Sequence, residues 1–294
     1  MISVAMGGLS AVSLGVADFI ASQTSSRIGA ARSLLGMLLV SSVVLSVFLL
    51  FQGGFAELFV PTKLWSILLA SLHGFTMAFA LLLFFHAMSV GKISIVAPIV
   101  ASHPLVIVIF RVAQGEHLTT AQWISVIGVL VGVALIGGSS RDHASDDGLA
   151  KRYAKWQIVV LISLASSILY GTAILFLQSA ADGITDSQVL WFGRVVGFFT
   201  VLIFVLAKRQ TPFPPSAQWW LLFAVHGALD SGGLLFLLLG TNGSPNDTLT
   251  AVVASAFPVV TMGLAWMLLN ERLKPLQLLG AGLVLVGVST IVGQ

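Results

Sequence analysis

Residues 115–137 read GEHLTTAQWISVIGVLVGVALIG, and residues 270–293 read NERLKPLQLLGAGLVLVGVSTIVG. Laid over each other, Gly115-Glu116-His117-Leu118 meets Asn270-Glu271-Arg272-Leu273, Gln122 meets Gln277, and Gly132-Val133 meets Gly287-Val288. Further back, Ala101-Ser102-His103-Pro104 meets Ala254-Ser255-Ala256-Phe257-Pro258 after a one-residue slip, and LLASLHG at 68–74 meets LLFAVHG at 221–227. Agreement over this many positions marks an internal duplication. In each copy a short polar turn feeds a Gly-rich apolar run of a length suited to crossing a bilayer.

Composition widens that reading to the whole chain. The 294 residues include only 14 Lys+Arg and 11 Asp+Glu, 9% charged against 57% hydrophobic. A soluble domain carries about 25% charged residues. Mean hydropathy is +1.02. A soluble enzyme, a disordered chain and a nucleic-acid binder are excluded by that scarcity. The pI near 9.5 rests on a surplus of three charges and implies no polyanionic partner. With no Cys, there is no disulfide and no thiolate chemistry. Nothing in the pattern points to a metal or a cofactor.

Ten apolar stretches are long enough to span, near 2–22, 32–52, 64–89, 94–112, 119–138, 156–178, 187–207, 217–240, 247–269 and 275–293. The first has no basic leader and is interrupted by Asp18, so it reads as a retained span rather than a signal peptide. The longest polar stretch lies between spans five and six. The chain therefore divides into a five-helix repeat at 1–140, a connecting loop at 141–155 and a second five-helix repeat at 156–294. Five is odd, so the second copy enters the membrane inverted. The expected fold is an all-α integral membrane protein with ten transmembrane helices in two inverted repeats, an architecture common among secondary transporters.

Charge placement gives an orientation. Arg27, Arg32, Lys92, Arg141, Lys151, Arg152, Lys155, Lys208, Arg209, Arg272 and Lys274 fall on one side, while the other holds only Lys63 and Arg111. Basic residues are retained in cytoplasmic loops. Both termini are then expected outside, in a plasma or bacterial inner membrane. Trp65, Trp123, Trp156, Trp219 and Trp220 stand at span starts, where interfacial anchors belong.

The two quoted tails resemble the two copies of the EamA domain of the drug/metabolite transporter superfamily, and GVADFIASQTSSRIGA resembles the start of one EamA subgroup. The resemblance spans essentially the whole chain. It implies ten helices in two inverted repeats and a substrate path between the halves, lined by spans one, three, four, six, eight and nine. It does not specify the substrate.

Two kinds of residue mark where a site would lie. Pro98, Pro104 and Pro258 are the prolines within spans, in the equivalent spans four and nine. Helices broken at corresponding places point to a transporter's centre. The intramembrane ionisable residues are the second kind, since each is costly in hydrocarbon. Asp18 and Asp230 are the proton-coupling candidates. His73, His103, Arg194, His226, Ser102 and Ser255 are the substrate-cavity candidates. His73 and His226 are repeat equivalents; a neutral imidazole bonded to a neighbouring helix accounts for them as well as function does. Arg194 is either a counter-ion to Asp18 or Asp230 or a grip for a substrate carboxylate or phosphate. For Ser102 and Ser255 a bond back to their own helix is favoured over a ligand contact. Glu116 and Glu271 read as structural turn residues, each capping the helix that follows. His86 lies near a span end and reads as interfacial.

Gly128, Gly132, Gly280, Gly282 and Gly287 form small-residue faces in spans five and ten, suited to an internal contact or to a homodimer. The expected activity is secondary active transport, most simply proton-coupled export of a small polar metabolite such as an amino acid, a nucleotide-like compound or a drug. An uncoupled facilitator or exchanger is the near variant. An intramembrane aspartyl or serine hydrolase, drawing on Asp18 and Asp230 or on His226, Asp230 and Ser231, is distant, because no protease or hydrolase motif is present.

Overall fold

In the computed structural model, residues 2–55, 61–138, 150–213, 216–241, 247–271 and 274–293 are described. Arg141, Arg272, Pro214 and Pro215 fall outside that set, as do the side chains of Lys151, Arg152 and Lys155. The helices are α1 (Ile2–Ile28), α2 (Ala30–Phe51), α3 (Leu64–Val90), α4 (Ile93–Val100), α5 (Pro104–Ala113), α6 (Thr120–Gly138), α7 (Ala150–Ala181), α8 (Asp186–Ala207), α9 (Ala217–Thr241), α10 (Asp247–Ala254), α11 (Phe257–Leu269) and α12 (Pro275–Val292). Among the described residues there is no strand.

Paired across their breaks, α4 with α5 and α10 with α11, these make ten spans long and apolar enough to cross a membrane. α7 begins at Ala150, inside the stretch read as connecting loop. Side chains such as Ile109, Ile124, Leu161, Ile203 and Leu221 are exposed, which in a bilayer puts them against lipid. Trp65, Trp123 and Trp220 are exposed at helix starts, but Trp156 buries its indole N–H without a partner.

Local chemistry explains the helix ends. Gly29, at φ 92°, turns the chain directly from α1 into α2 in a conformation that L side chains rarely adopt. At α8, Thr185 Oγ1 accepts from Gln188 N (3.3 Å) while Gln188 Oε1 accepts from Thr185 N (3.0 Å), a reciprocal cap. The repeated glutamines act alike: Gln122 Oε1 accepts from Thr119 N (2.8 Å) before α6, and Gln277 Oε1 accepts from Lys274 N (2.9 Å) before α12. The expectation that Glu116 and Glu271 cap these helices is therefore corrected. The glutamines stand within reach of the helix start, and the glutamates lie too early in the turn.

The helices pair with the two-fold logic of an inverted repeat. α1 packs on α9 as α7 packs on α3, and α2 meets α8 as α6 meets α12. Glycines permit the closest approaches. A Cβ on Gly15 would stand 2.7 Å from the Phe257 carbonyl oxygen, and a Cβ on Gly171 would stand 2.7 Å from the His103 carbonyl oxygen. The first helix of each half thus lies against the broken span of the other half, just beyond its break. Gly132, Gly280 and Gly287 lie in the α6–α12 contact, so these small faces are used within the chain, whereas Gly128 and Gly282 face open space.

Candidate functional site

Both breaks fall where proline leads a new helix. α4 ends at Val100 and α5 starts on Pro104; α10 ends at Ala254 and α11 starts at Phe257-Pro258. Proline has no N–H to give and is tolerated in a first turn. Pro98 is different. It sits buried inside α4, which continues past it to Val100, so it is not a break. Packed neighbours on all sides make the lost ladder bond tolerable there.

A cavity of ≈ 730 Å³ lies between these breaks, with Ala101, His103 and Pro104 on one side and Ala254, Ser255 and Phe257 on the other. Its size suits a metabolite-sized ligand. It extends from His73 and Arg194 out to Arg111, Asp186 and Thr241. Those last three stand at the ends of α5, α8 and α9 that lie on the same side as the start of α1 and the end of α12. The cavity mouth is thus on the side of the start of α1 and the end of α12, away from Arg27, Lys92, Lys208 and Lys274.

The charged centre is built from α8, α9 and α2. Arg194 Nη2 lies 2.9 Å from Asp230 Oδ1 and 2.9 Å from Oδ2, with both side chains nearly enclosed. Ser41 Oγ donates to Asp230 Oδ2 (2.9 Å), and Ser231 Oγ donates in turn to Ser41 Oγ (2.7 Å). Asp230 is thereby held by a cation and a hydroxyl. Arg194 keeps its buried Nε without a partner and lines the cavity. Asp18 is near enough to interact with Asp230, and its Oδ2 is buried without a partner. Of the two carboxylates, then, one is engaged and one is free.

The histidines divide. His73 Nδ1 donates to the Ala173 carbonyl (2.8 Å), since a carbonyl oxygen only accepts; in a neutral ring this leaves Nε2 as an acceptor beside Gly193 at the cavity wall. His226, its repeat equivalent, stacks on Phe85 with ring centroids 5.7 Å apart and leaves Nδ1 without a partner. It does not line the cavity. His103 sits in the break, its ring 4.5 Å from that of Tyr170.

Ser102 Oγ donates to Ile99 O (2.6 Å) and Ser255 Oγ to Val252 O (2.7 Å), each bonding back to its own helix. Only Ser255 also lines the cavity. Glu116 is exposed and 3.9 Å from Arg111. Glu271 reaches across the halves to Ser94. Ser231 bonds to Ser41 and to the Gly227 carbonyl (2.8 Å) rather than to His226, so the three residues do not form a hydrolase relay.

The sequence reading missed Ser41, Tyr170, Gln178 and Asp186, which touch the centre or line the cavity. Gln178 and Asp186 carried a signal, being polar residues flanking the same loop. Ser41, one serine among several in α2, carried none.

The family model described as EamA-like transporter family matches residues 1–138 and again 157–293. No curated protein matches the chain. A solved structure described only as a crystal structure of a protein is similar at 18% identity and TM-score 0.62, covering 98% of this chain and 95% of its own. At that identity the likeness bears on fold alone.

Proposed function

The chain belongs to the EamA-like transporter family, and from that premise we propose that it is a secondary active transporter, exporting a small polar metabolite in exchange for protons. Membership makes it an integral membrane transporter rather than an enzyme, with a small molecule as substrate. The finer reading rests on one observation: a metabolite-sized cavity enclosed by two broken spans, with Arg194 on its wall and Asp18 free beside Asp230.

Arg194 holds an anionic group of the substrate. Its Nη2 is committed to Asp230, and the part of the guanidinium that stands on the cavity wall remains as a donor. His73 offers Nε2 as an acceptor. Asp18 takes the proton, because Asp230 is already engaged by Arg194 and Ser41. Rocking of one half against the other then alternates access. With the basic loops cytoplasmic, the cavity faces outward.

Proteoliposome flux under an imposed pH gradient, over a panel of amino acids, nucleotides and cationic drugs, tests this. The expected result is accumulation driven by the gradient, abolished by Asp18→Asn while substrate exchange without a gradient persists. Flux equal with and without the gradient would establish the uncoupled facilitator instead.

A further inference from the structure

On the face opposite the cavity mouth, one carboxylate joins the two halves. Glu271, in the turn between α11 and α12, accepts from both the backbone N–H (3.1 Å) and the hydroxyl (2.6 Å) of Ser94 through the same oxygen, Oε2. Ser94 is the second residue of α4 and is 2% exposed. Lys92, at the N-cap of α4, supplies no side-chain cap. A glutamate of the second half thus satisfies the opening turn of the first half's broken span.

The repeat places a comparable set on the other face. Glu116 aligns with Glu271, and α10 is an eight-residue first segment like α4. In the register that pairs Ser102 with Ser255, Ser94 meets Asp247, and Thr248, one residue further on, carries a hydroxyl and an N–H. These groups are apart here. Glu116 is exposed and sits with Arg111, which lines the cavity mouth, and Thr248 is exposed. The bond is made on the face away from the cavity mouth, and no such bond joins Glu116 to Thr248 on the other.

We propose that Glu271–Ser94 and Glu116–Thr248 are the two alternating latches of the transporter, the first closing the basic face in the state seen here and the second closing the face of the termini in the opposite state. This rests on the transport reading. It adds which residues hold each state shut. When Glu271 releases Ser94, α4 and α11 separate on the basic face. On the other side Glu116 leaves Arg111 and takes the N–H and hydroxyl of Thr248, sealing the mouth. Rocking of one half of an inverted repeat against the other makes contacts on one face as it breaks contacts on the opposite face, which suits a pair of latches of this kind.

The absence of cysteine makes the test direct. In the full chain in proteoliposomes, Glu116→Cys with Thr248→Cys, and separately Ser94→Cys with Glu271→Cys, are treated with a short bifunctional thiol crosslinker. Each pair carries a third cysteine, Leu237→Cys, on the cavity wall, assayed after crosslinking with a membrane-impermeant maleimide. The Ser94/Glu271 crosslink should leave position 237 labelled as fast as without crosslinker. The Glu116/Thr248 crosslink should form and slow that labelling at least tenfold. In a crosslinker-free chain, Glu271→Gln should slow labelling at 237 severalfold by weakening the state seen here, and Glu271→Asp should restore part of it. Failure of the Glu116/Thr248 pair to crosslink while the Ser94/Glu271 pair does so, or crosslinking with no change at 237, would overturn the latch. Both readouts are independent of substrate, so a chain that gates as expected yet carries no flux counts against the transport reading alone.

Discussion

Arg194 Nη2 stands 2.9 Å from each oxygen of the Asp230 carboxylate, in the interior of a ten-span bundle. Such a pair is costly to desolvate, and its loss is worse when one partner stays behind. Arg194→Gln and Asp230→Asn should each destabilise by about 3–5 kcal/mol. The double variant should recover much of that loss, because neither charge is then stranded. Thermal unfolding of all four proteins in one detergent, read as a double-mutant cycle, gives the coupling. If the double variant is as unstable as the sum of the singles, the pair is not a unit. Transport should be absent in all three variants, which would separate the proposed grip of Arg194 on substrate from its contribution to packing.

The approach of α1 to α11 and of α7 to α5 makes an equally definite demand. At Gly15 an added methyl would meet Val260 Cβ at 2.6 Å and the Phe257 carbonyl at 2.7 Å; at Gly171 it would meet Val106 Cβ at 2.6 Å and the His103 carbonyl at 2.7 Å. A backbone carbonyl beside a helix break has nowhere to go. Gly15→Ala and Gly171→Ala should each cost about 1–3 kcal/mol. Gly128→Ala and Gly282→Ala, which meet nothing within 4 Å, should be neutral or stabilising by up to about 1 kcal/mol. Melting temperatures of the four alanine variants check the contrast.

These positions also show how far the sequence was readable. The spans were legible because lipid leaves a long apolar run few alternatives. The breaks at Pro104 and Pro258 were legible because proline ends a helix by covalent geometry. Pro98 looked the same and is not a break, since its surroundings, which the sequence does not display, hold α4 together. Asp18, Asp230 and Arg194 announced themselves as charges in hydrocarbon. Which carboxylate Arg194 would take, and that Ser41 would join them, depends on how α2, α8 and α9 meet. Glu271 was the clearest misreading: its sequence neighbours suggested a local cap, and its partner is Ser94, far away in the other half.

His73 and His226 occupy equivalent places and should respond differently. In His73→Asn the side-chain amide can replace Nδ1–H as donor to Ala173 O, keeping the α3–α7 contact while removing Nε2 from the cavity wall. Stability should change by less than about 1 kcal/mol, while substrate KM rises. His226→Phe removes a buried, unpartnered Nδ1 and keeps a ring against Phe85. It should be neutral or stabilising by about 1 kcal/mol, with flux unaltered. Flux and melting temperature, measured on the same preparations, decide both. Loss of transport in His226→Phe would show that its repeat position matters more than its surroundings.

Arg27, Lys92, Lys208 and Lys274 flank helix ends on one face, and the first and last described residues lie on the other. Retention of basic residues in the cytoplasm would set the termini outside. A periplasmically active phosphatase fused at the C-terminus should therefore be active, and a fluorescent protein fused there should be dark. The bias rests on few charges, so it should be reversible: replacing Arg27, Arg32 and Lys92 with Gln while adding three Lys after Gln294 should raise the fraction of chains with a cytoplasmic C-terminus. A fluorescent, phosphatase-inactive fusion of the unaltered chain would reverse the assignment. It would also put the cavity mouth, with Arg111 and Asp186 at its rim, on the cytoplasmic side in the state described.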